Sequence, residues 1–572
     1  MQGVSTSLAD LNVLVLDCQA TGPNPLRDHL LEIGWARMCA RDAQEAVRSA
    51  LQSFLLRLPE QTVIPGRVKR ITGISSSDLG GACRLRCVWE KLAEAACSVT
   101  WGRPCPTVIH FSRFEEPFLR RLFCQNSNSS DSSFPFRIIC THEIAKRLLP
   151  HLPRRGLRAV AGYFGSSVPE LRRSSHHVAA TAAVWRSLVE LLESERGIQD
   201  LDGLSNWLAG TEGASRCGRE YPMASSLRLA LPHKPGIYRM LRSNGDVLYV
   251  GKAGSLKRRV NSYFQKSSRH PERTLEMLTQ ARRLDVTVTG SALEAALVES
   301  DEIKRLSPPY NVALTKRGRK LSYCSRDLLD VTAQPDEAHP VGPLPARREL
   351  KLLSRLVQML DKRPRGTTAS LLVGDFPSFE SPAEEILQEG LATFRERHAT
   401  VLGQQASPRA LLRLGALLWR QRASAGEESS SEDTSREVGW TPDRVADWVE
   451  SIILCTTHWM RRARWLCLLS EASVAWELPH AAESVRIVVV LESGEIVTRR
   501  NTPPKTAVPR PAGYLKPTLL RQRNFDVSTY DRLTVLTTEL RRLIAQDRHV
   551  EIHLSPAARL DRRKLAAVLG WV

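Results

Sequence analysis

Between residues 235 and 311 stand three tyrosines, an arginine and a glutamate whose types and spacing suit phosphodiester hydrolysis. Pro235-Gly236-Ile237-Tyr238 opens an apolar run that ends at Met240-Leu241. Ser243-Asn244-Gly245-Asp246 interrupts it, and Val247-Leu248-Tyr249-Val250-Gly251 follows. Asn-Gly between two apolar runs predicts a hairpin, because a type I′ turn needs positive φ at both central residues. A two-residue loop there sets Met240 opposite Tyr249 and Tyr238 opposite Gly251. Side chains alternate faces, so Tyr238, Met240 and Tyr249 share one, and Gly251 beside them leaves room for a ligand. Ser255 is the expected N-cap of a basic helix from Leu256. Arg259 and Tyr263, four apart, stack on one strip of it. A second helix over 291–304 turns Leu293, Leu297 and Ile303 to a core and leaves Glu299 off that stripe.

A carboxylate such as Glu299 can hold one Mg²⁺ (or Mn²⁺) together with waters and phosphate oxygens. Arg259 can grip a phosphoryl group with two parallel hydrogen bonds. A phenol beside Lys252, Arg259 and a metal-bound water would ionise more readily than usual and could take a proton from water. Singly, each of these residues is more simply a core aromatic or a solvated helix charge. As an ordered set they are not.

The set resembles a GIY-YIG nuclease domain of the UvrC and Cho type. Gly236-Ile237-Tyr238 and Tyr249-Val250-Gly251 match the two triplets. Arg259-Val260 and Ser262-Tyr263-Phe264 match the run after them, Leu297-Val298-Glu299 the glutamate helix, and Pro309-Tyr310-Asn311 the closing asparagine. The resemblance implies Tyr249 or Tyr238 as general base, Arg259 as phosphate clamp and Glu299 as metal ligand. Lys252, Tyr263 and Asn311 complete the catalytic set.

These residues need a frame, and the chain is long enough for several domains: 572 residues, 42% hydrophobic and 25% charged, are ordinary for soluble globular protein. Eighty-one Lys and Arg against 61 Asp and Glu leave a net charge of +20, which suits a polyanion such as DNA. No apolar run is long enough to span a bilayer, and the first residues lack a signal-peptide pattern, so a cytoplasmic protein without membrane contact is expected. Twelve scattered cysteines read as reduced thiols. Cys83 and Cys87 are four apart, but without a second pair they do not predict zinc.

Upstream, Leu11–Asp17, Leu30–Ala36 and Ser53–Leu58 read as strands, Val108–Leu119 as a strand entering a helix, and Ser175 to about Glu195 as a long helix. Over 9–195 this resembles the DEDD exonuclease of the DnaQ type, on a ribonuclease-H-like fold. That mechanism needs four carboxylates around two divalent ions, with a His or Tyr base. Asp17 stands at the first acid, Gln19 at the second and Glu115 at the third. Counting back from Thr181-Ala182, His177 falls at the fourth acid and Arg172 at the histidine. A shift by one residue offers His176 and restores no acid. The resemblance therefore implies the fold with a degenerate site and little or no exonuclease activity.

The expected architecture is α/β and α+β multidomain. A ribonuclease-H-like exonuclease domain spans 9–195, a linker 196–230 and a small GIY-YIG α+β domain 231–315. A mainly helical region at 316–423 includes a helix from Arg348 to about Lys362, and an acidic disordered linker covers 424–437. A mixed α+β region of unknown function fills 438–572. Lys316-Arg317-Gly318-Arg319-Lys320 forms a basic turn that could meet DNA. The segment after the nuclease domain resembles the corresponding part of UvrC, but with only Cys324 in 315–420 no iron–sulfur cluster is expected. Trp440, Trp448, Trp459 and Trp465, interleaved with Arg461, Arg462 and Arg464, read as core aromatics at helical spacing. Val485–Leu491 and Ile496–Thr498 around Ser493-Gly494 read as a hairpin. The functional expectation is a metal-dependent DNA endonuclease acting in nucleotide excision repair, with UvrA- and UvrB-type partners implied only by analogy. The rivals are a 3′–5′ exonuclease acting through the N-terminal domain and a non-catalytic DNA-binding scaffold.

Overall fold

The computed structural model describes residues 6–97, 104–126, 133–166, 171–210, 220–265, 270–315, 320–325, 330–345, 352, 355–356, 382–403, 407–425, 439–479, 484–503, 507–509, 524–546, 550–555 and 558–560. They divide into two compact units. One comprises residues up to Ala295 with Leu306–Val312, the other Ala296–Arg305 with the remainder from Ala313.

In the first unit the apolar run at 13–20 becomes β1 (Val13–Ala20), buried on both faces as a central strand should be. It lies in a five-stranded sheet with β2 (Leu30–Met38), β3 (Gln52–Leu55), β4 (Cys105–Ile109) and β5 (Phe136–Cys140), in the order β3-β2-β1-β4-β5. The first three strands are antiparallel, and β4 and β5 run parallel to β1. Helices α1 (Leu85–Cys97) and α2 (Ser112–Asn126) cover one face, where Trp89, Leu92 and Phe118 pack on Leu14, Leu16 and Ile33. On the other face lie α3 (Thr141–Leu148), α4 (Leu157–Tyr163) and the long α5 (Ser174–Arg196), closing a core around Val13, Val15, Val184 and Trp185. Gly34 lets α5 approach: a Cβ there would lie 2.6 Å from the Ser174 hydroxyl. Gly34 also pairs with Asp17 on β1, so the close approach brings the start of α5 over that acid.

The same unit holds a three-stranded antiparallel sheet, order β7-β6-β8, of β6 (Gly236–Leu241), β7 (Val247–Ala253) and β8 (Arg283–Val288). Helices α6 (Leu256–Ser262) and α7 (Glu272–Gln280) pack on it through Leu256, Val260, Met277 and Leu278. Helix α8 (Ala292–Leu306) starts in this unit, and its stretch 296–305 belongs to the second.

The second unit has a helical core of α9 (Glu384–Arg397), α10 (Pro408–Ala425) and α11 (Pro442–Leu469), joined by Leu387, Phe394, Leu411, Val449 and Ile453. An antiparallel sheet ordered β14-β13-β12-β15-β16 follows: β12 (Ser473–Pro479), β13 (Ser484–Glu492), β14 (Glu495–Thr502), β15 (Val550–Ser555) and β16 (Ala558–Leu560). Helix α12 (Val527–Ala545) precedes β15. Asp531 on α12 pairs with Lys304 of α8 at 3.3 Å, both side chains no more than 3% exposed, and Lys304 also donates to Ser300 at 2.8 Å.

Several expectations are corrected. The stretch 196–230 carries short helical pieces, Leu201–Ala209 and Ser225–Leu229, and Leu204 of the first is buried in the N-terminal core. Met223 and Leu231 join the core of the three-stranded β7-β6-β8 sheet. The region 316–423 also forms strands among its described residues: β9 (Ser322–Cys324), β10 (Val331–Thr332) and β11 (Val341–Leu344) make a three-stranded sheet around Cys324 and Leu344, while Leu352, Arg355 and Leu356 of the expected helix are helical. Its polar, proline-rich spacing hid strands of only two to four residues. Of the four tryptophans, Trp465 is fully core at 2% exposure, while Trp440, Trp448 and Trp459 are half-buried against the helical core. The acidic stretch at 426–438, residues 316–319 of the basic turn and most of 348–362 lie outside the described residues.

Candidate active site

The hairpin register is as the sequence predicts: Met240 pairs with Tyr249 and Tyr238 with Gly251. Its turn is not. Of Asn244 and Gly245 only Gly245 takes positive φ, +94°, and the ladder bulges between Met240 and Leu241. The loop closes on Arg242 and Asp246, whose side chains pair at 3.0 Å, while Asn244 caps the Asp246 N–H. Local side-chain bonds thus replace the type I′ turn. Ser493 and Gly494 take that role instead, with φ of +55° and +79°.

Tyr238 is fully buried and its hydroxyl lies 3.0 Å from that of Tyr263. Its ring centroid is 6.1 Å from Tyr249 and 6.2 Å from Tyr263. Arg259 donates to the Tyr263 hydroxyl at 3.4 Å, with its guanidinium 5.2 Å from that ring. Burial, and then the neighbouring Tyr263 and Tyr249, push the Tyr238 phenol well above its ordinary range, against the pull of Arg259. Tyr238 is therefore a neutral hydrogen-bonding group. Tyr249 is half-buried and is the phenol of the hairpin pair open to water.

Gly251 does not leave room for a ligand. A Cβ there would lie 2.5 Å from the Tyr238 hydroxyl and 2.7 Å from the Tyr249 ring, so the two phenols fill the space. Ser255 occupies the N-cap position, but its hydroxyl makes no cap bond and faces His233 Nδ1 at 3.4 Å. Asn311 is a positioning residue. Its Oδ1 accepts from the Val250 N–H at 3.0 Å and its Nδ2 donates to the Val250 carbonyl at 2.9 Å, fixing the backbone next to Tyr249. Lys252 is half-buried and alternates to the face of β7 opposite Tyr249.

Lys257, Arg258 and Arg259 line an open groove of about 810 Å³ beside α6, floored by Gly254, Asn261 and Ser262. Such a groove suits a phosphate backbone. Glu299 lies half-buried on α8, within 296–305. Ile303 of the predicted apolar stripe is 2% exposed and Leu293 4%.

In the N-terminal sheet the structure brings Asp17, Gln19, Glu115 and His177 together around a pocket of about 610 Å³. Gln19 and His177 converge on Asp17. Gln19 Nε2 donates at 3.1 Å, and His177 Nδ1 lies 3.1 Å from the other oxygen. Burial and then the charge of Asp17 push the Glu115 carboxyl well above the carboxylate range. His177 is raised as well: burial works against its charge, and Asp17 outweighs burial. Gln19 and His177 thus both lie against the Asp17 carboxylate, and the charge of Asp17 favours the protonated forms of His177 and Glu115. Arg172, at the histidine position, is exposed, and its side chain runs past Gly73. Sequence reasoning missed His110, His142, Arg154 and Arg155, which also line the pocket. His110 directly follows β4 and could have been found there; burial and His142 push it down to about 3, so it is neutral.

The family described as the UvrC-like GIY-YIG domain matches residues 234–312. Over 314 residues the chain is 29% identical to a Mycobacterium tuberculosis protein provisionally named a bifunctional exonuclease/endonuclease, covering 53% of this chain and 45% of that one. It is 51% identical over 84 residues to the UvrABC system protein C of Psychrobacter cryohalolentis, covering 15% of this chain and 14% of that one. The chain therefore spans less than half the length of these relatives. A solved structure, the N-terminal endonuclease domain of Thermotoga maritima UvrC bound to magnesium, is 30% identical over 16% of this chain and all of that one, with a TM-score of 0.15. Residues 234–312 are a UvrC-like GIY-YIG nuclease domain, joined in one chain to an N-terminal exonuclease-like region.

Proposed function

We propose that the chain is a metal-dependent DNA endonuclease that nicks one strand through residues 234–312, acting in nucleotide excision repair in the cytoplasm. The observation that carries it is the convergence of Tyr238, Tyr249, Tyr263 and Arg259 beside the basic α6 groove. Tyr249, the half-buried phenol, takes the proton from the attacking water. Tyr238 and Tyr263, hydroxyl to hydroxyl, keep that end of the hairpin dry and fixed. Arg259 grips the phosphoryl oxygens and stabilises their growing charge. The groove residues Lys257 and Arg258 hold the flanking phosphates. Glu299, a half-buried carboxylate, would hold Mg²⁺ or Mn²⁺, a single-carboxylate arrangement such an ion accepts. When bound, the ion supplies Lewis-acid stabilisation of the phosphate and leaving oxygen.

The repair role follows from UvrC relatives matched over this domain alone, and UvrA- and UvrB-type partners are part of the same reading. The exonuclease reading is weakened by Gln19 and His177 at two of the acid positions, both against Asp17, and the scaffold reading by the complete tyrosine–arginine set. The test is nicking of supercoiled plasmid with Mg²⁺, run beside a 3′-labelled single strand. Nicking that Glu299→Ala removes supports the endonuclease. Mononucleotide release that Asp17→Ala removes supports the exonuclease instead. Binding without either product leaves the scaffold.

A further inference from the structure

With the sheet ordered β7-β6-β8, β7 is an edge strand, yet its outer backbone is occupied. The Tyr310 N–H donates to the Leu248 carbonyl at 3.1 Å, and the Asn311 amide takes both backbone groups of Val250. Tyr249 therefore sits between two clamped residues. The clamp has its own support. The Tyr310 phenol, 5% exposed, donates to Glu276 and accepts from Gln280, both on α7. The face of its ring is covered from the exonuclease-like region: the Arg158 guanidinium of α4 lies 4.8 Å from the ring centroid and reaches Glu276 at 3.5 Å.

Arg158 belongs to a seam between α4 and α7. At Gly162 a Cβ would lie 2.0 Å from the Gln280 amide oxygen, so only glycine admits that side chain. The Arg154 N–H donates to the Thr279 hydroxyl at 3.2 Å, and its side chain pairs with Glu272. Arg282 lies 4.3 Å over the Tyr163 ring. Gln280 and Thr279 are fully buried. A seam of buried amides, stacked guanidiniums and a required glycine holds one relative placement, unlike a wet contact between mobile domains.

We propose that the exonuclease-like region braces the nuclease site: Arg158 seats Tyr310, and through Asn311 fixes the strand that carries Tyr249. Arg158 is a positioning residue, and the inference rests on the role proposed for Tyr249. It gives the exonuclease-like region a reason to keep its fold that does not depend on catalysis there, since α4 makes the contact.

The test is Arg158→Ala in the full chain, read by hydrogen exchange over 247–251 and 308–312 and by nicking kinetics. Loosening the clamp opens these amides locally, so exchange should speed up about tenfold or more. The kcat for nicking should fall by a similar factor with KM for DNA unchanged. Arg158→Lys, which keeps a cation over the ring, should restore part of both. Gly162→Leu, which wedges the seam from the same helix one turn further on and against Gln280 of α7, should reproduce the loss. Unchanged exchange over both segments overturns the brace whatever the nicking rate. A raised KM with kcat unchanged also overturns it, because Arg158 would then be a DNA contact. Faster exchange in a chain whose parent nicks nothing supports the brace and removes the proposed role of Tyr249.

Discussion

Asp531→Ala should destabilise the second unit far more than a surface change would. Asp531 and Lys304 face each other at 3.3 Å with side chains 2% and 3% exposed. At an effective dielectric of about 20, charges at that separation attract by about 5 kcal/mol. Removing Asp531 leaves the Lys304 charge buried with the weaker pull of the exposed Asp301 carboxylate acting on it, at a cost of about 3–5 kcal/mol. Ser300, at 2.8 Å, softens the loss but carries no charge. Burial lowers the affinity of Lys304 for its proton, so the variant has an escape: it sheds that proton as pH rises, and its penalty shrinks in alkali. With a urea slope of about 2–3 kcal/mol/M, the midpoint should fall by on the order of 1–2 M near pH 7. The paired replacement Lys304→Met with Asp531→Leu should recover most of the loss, because an apolar pair of similar volume needs no compensation. Urea unfolding followed by circular dichroism measures both. A shift below about 0.3 M for Asp531→Ala, or a double variant as weak as the single one, would refute the reasoning.

Arg259→Ala should slow nicking by about 10²–10³-fold, the scale seen when one preorganised donor is lost, and Glu299→Ala should abolish it; both should still bind DNA, checked by plasmid nicking and a binding titration. Gly251→Ala should lose about 1–3 kcal/mol by forcing the Tyr238 and Tyr249 rings apart, with nicking lost alongside, seen as a lower melting midpoint. Burial alone would raise the Glu32 carboxyl, but hydrogen bonds from Arg173, the Ser174 N–H and Ser53 hold it below its ordinary value. A depressed carboxylate stabilises above its unfolded pKa of about 4.3, so its contribution should persist at neutral pH and vanish as pH falls through the folded value. Glu32→Gln should accordingly flatten the acid limb of a stability–pH curve. In the Glu299→Ala background a 3′-labelled strand should stay intact with Mg²⁺ or Mn²⁺, and processive mononucleotide release dependent on Asp17 would show that the N-terminal site is alive.

The hairpin register was legible because period-two alternation and Asn-Gly constrain it before any tertiary contact forms. The turn type was not, since Arg242 and Asp246 decide it by pairing across the loop. The placement of His177 on Asp17 was legible by counting along α5, whose helical spacing from Thr181 is rigid. Gly251 was misread because its neighbours in space are the same tyrosines that its motif names, and a sequence does not say which side of a glycine they fill. The bonds of Asn311 to both backbone groups of Val250 had no signature in the sequence, 61 residues away. The short strands at 322–344 gave no periodicity, and the Lys304–Asp531 pair, 227 residues apart, has no local signature at all.

The Asn311 clamp also protects the fold from its neighbours in solution. An edge strand presents unpaired N–H and C=O groups that any extended chain can join, and sheet proteins must cover or interrupt such edges to remain unassociated. Here β7 is apolar through Val247, Leu248 and Val250, the composition most prone to recruit another strand. Tyr310 and Asn311 fill its outer bonding positions from within the chain, as a short mock strand with an amide side chain in place of a peptide. The two residues that orient the hairpin therefore also keep it from becoming a template, so colloidal behaviour and site geometry rest on the same hydrogen bonds.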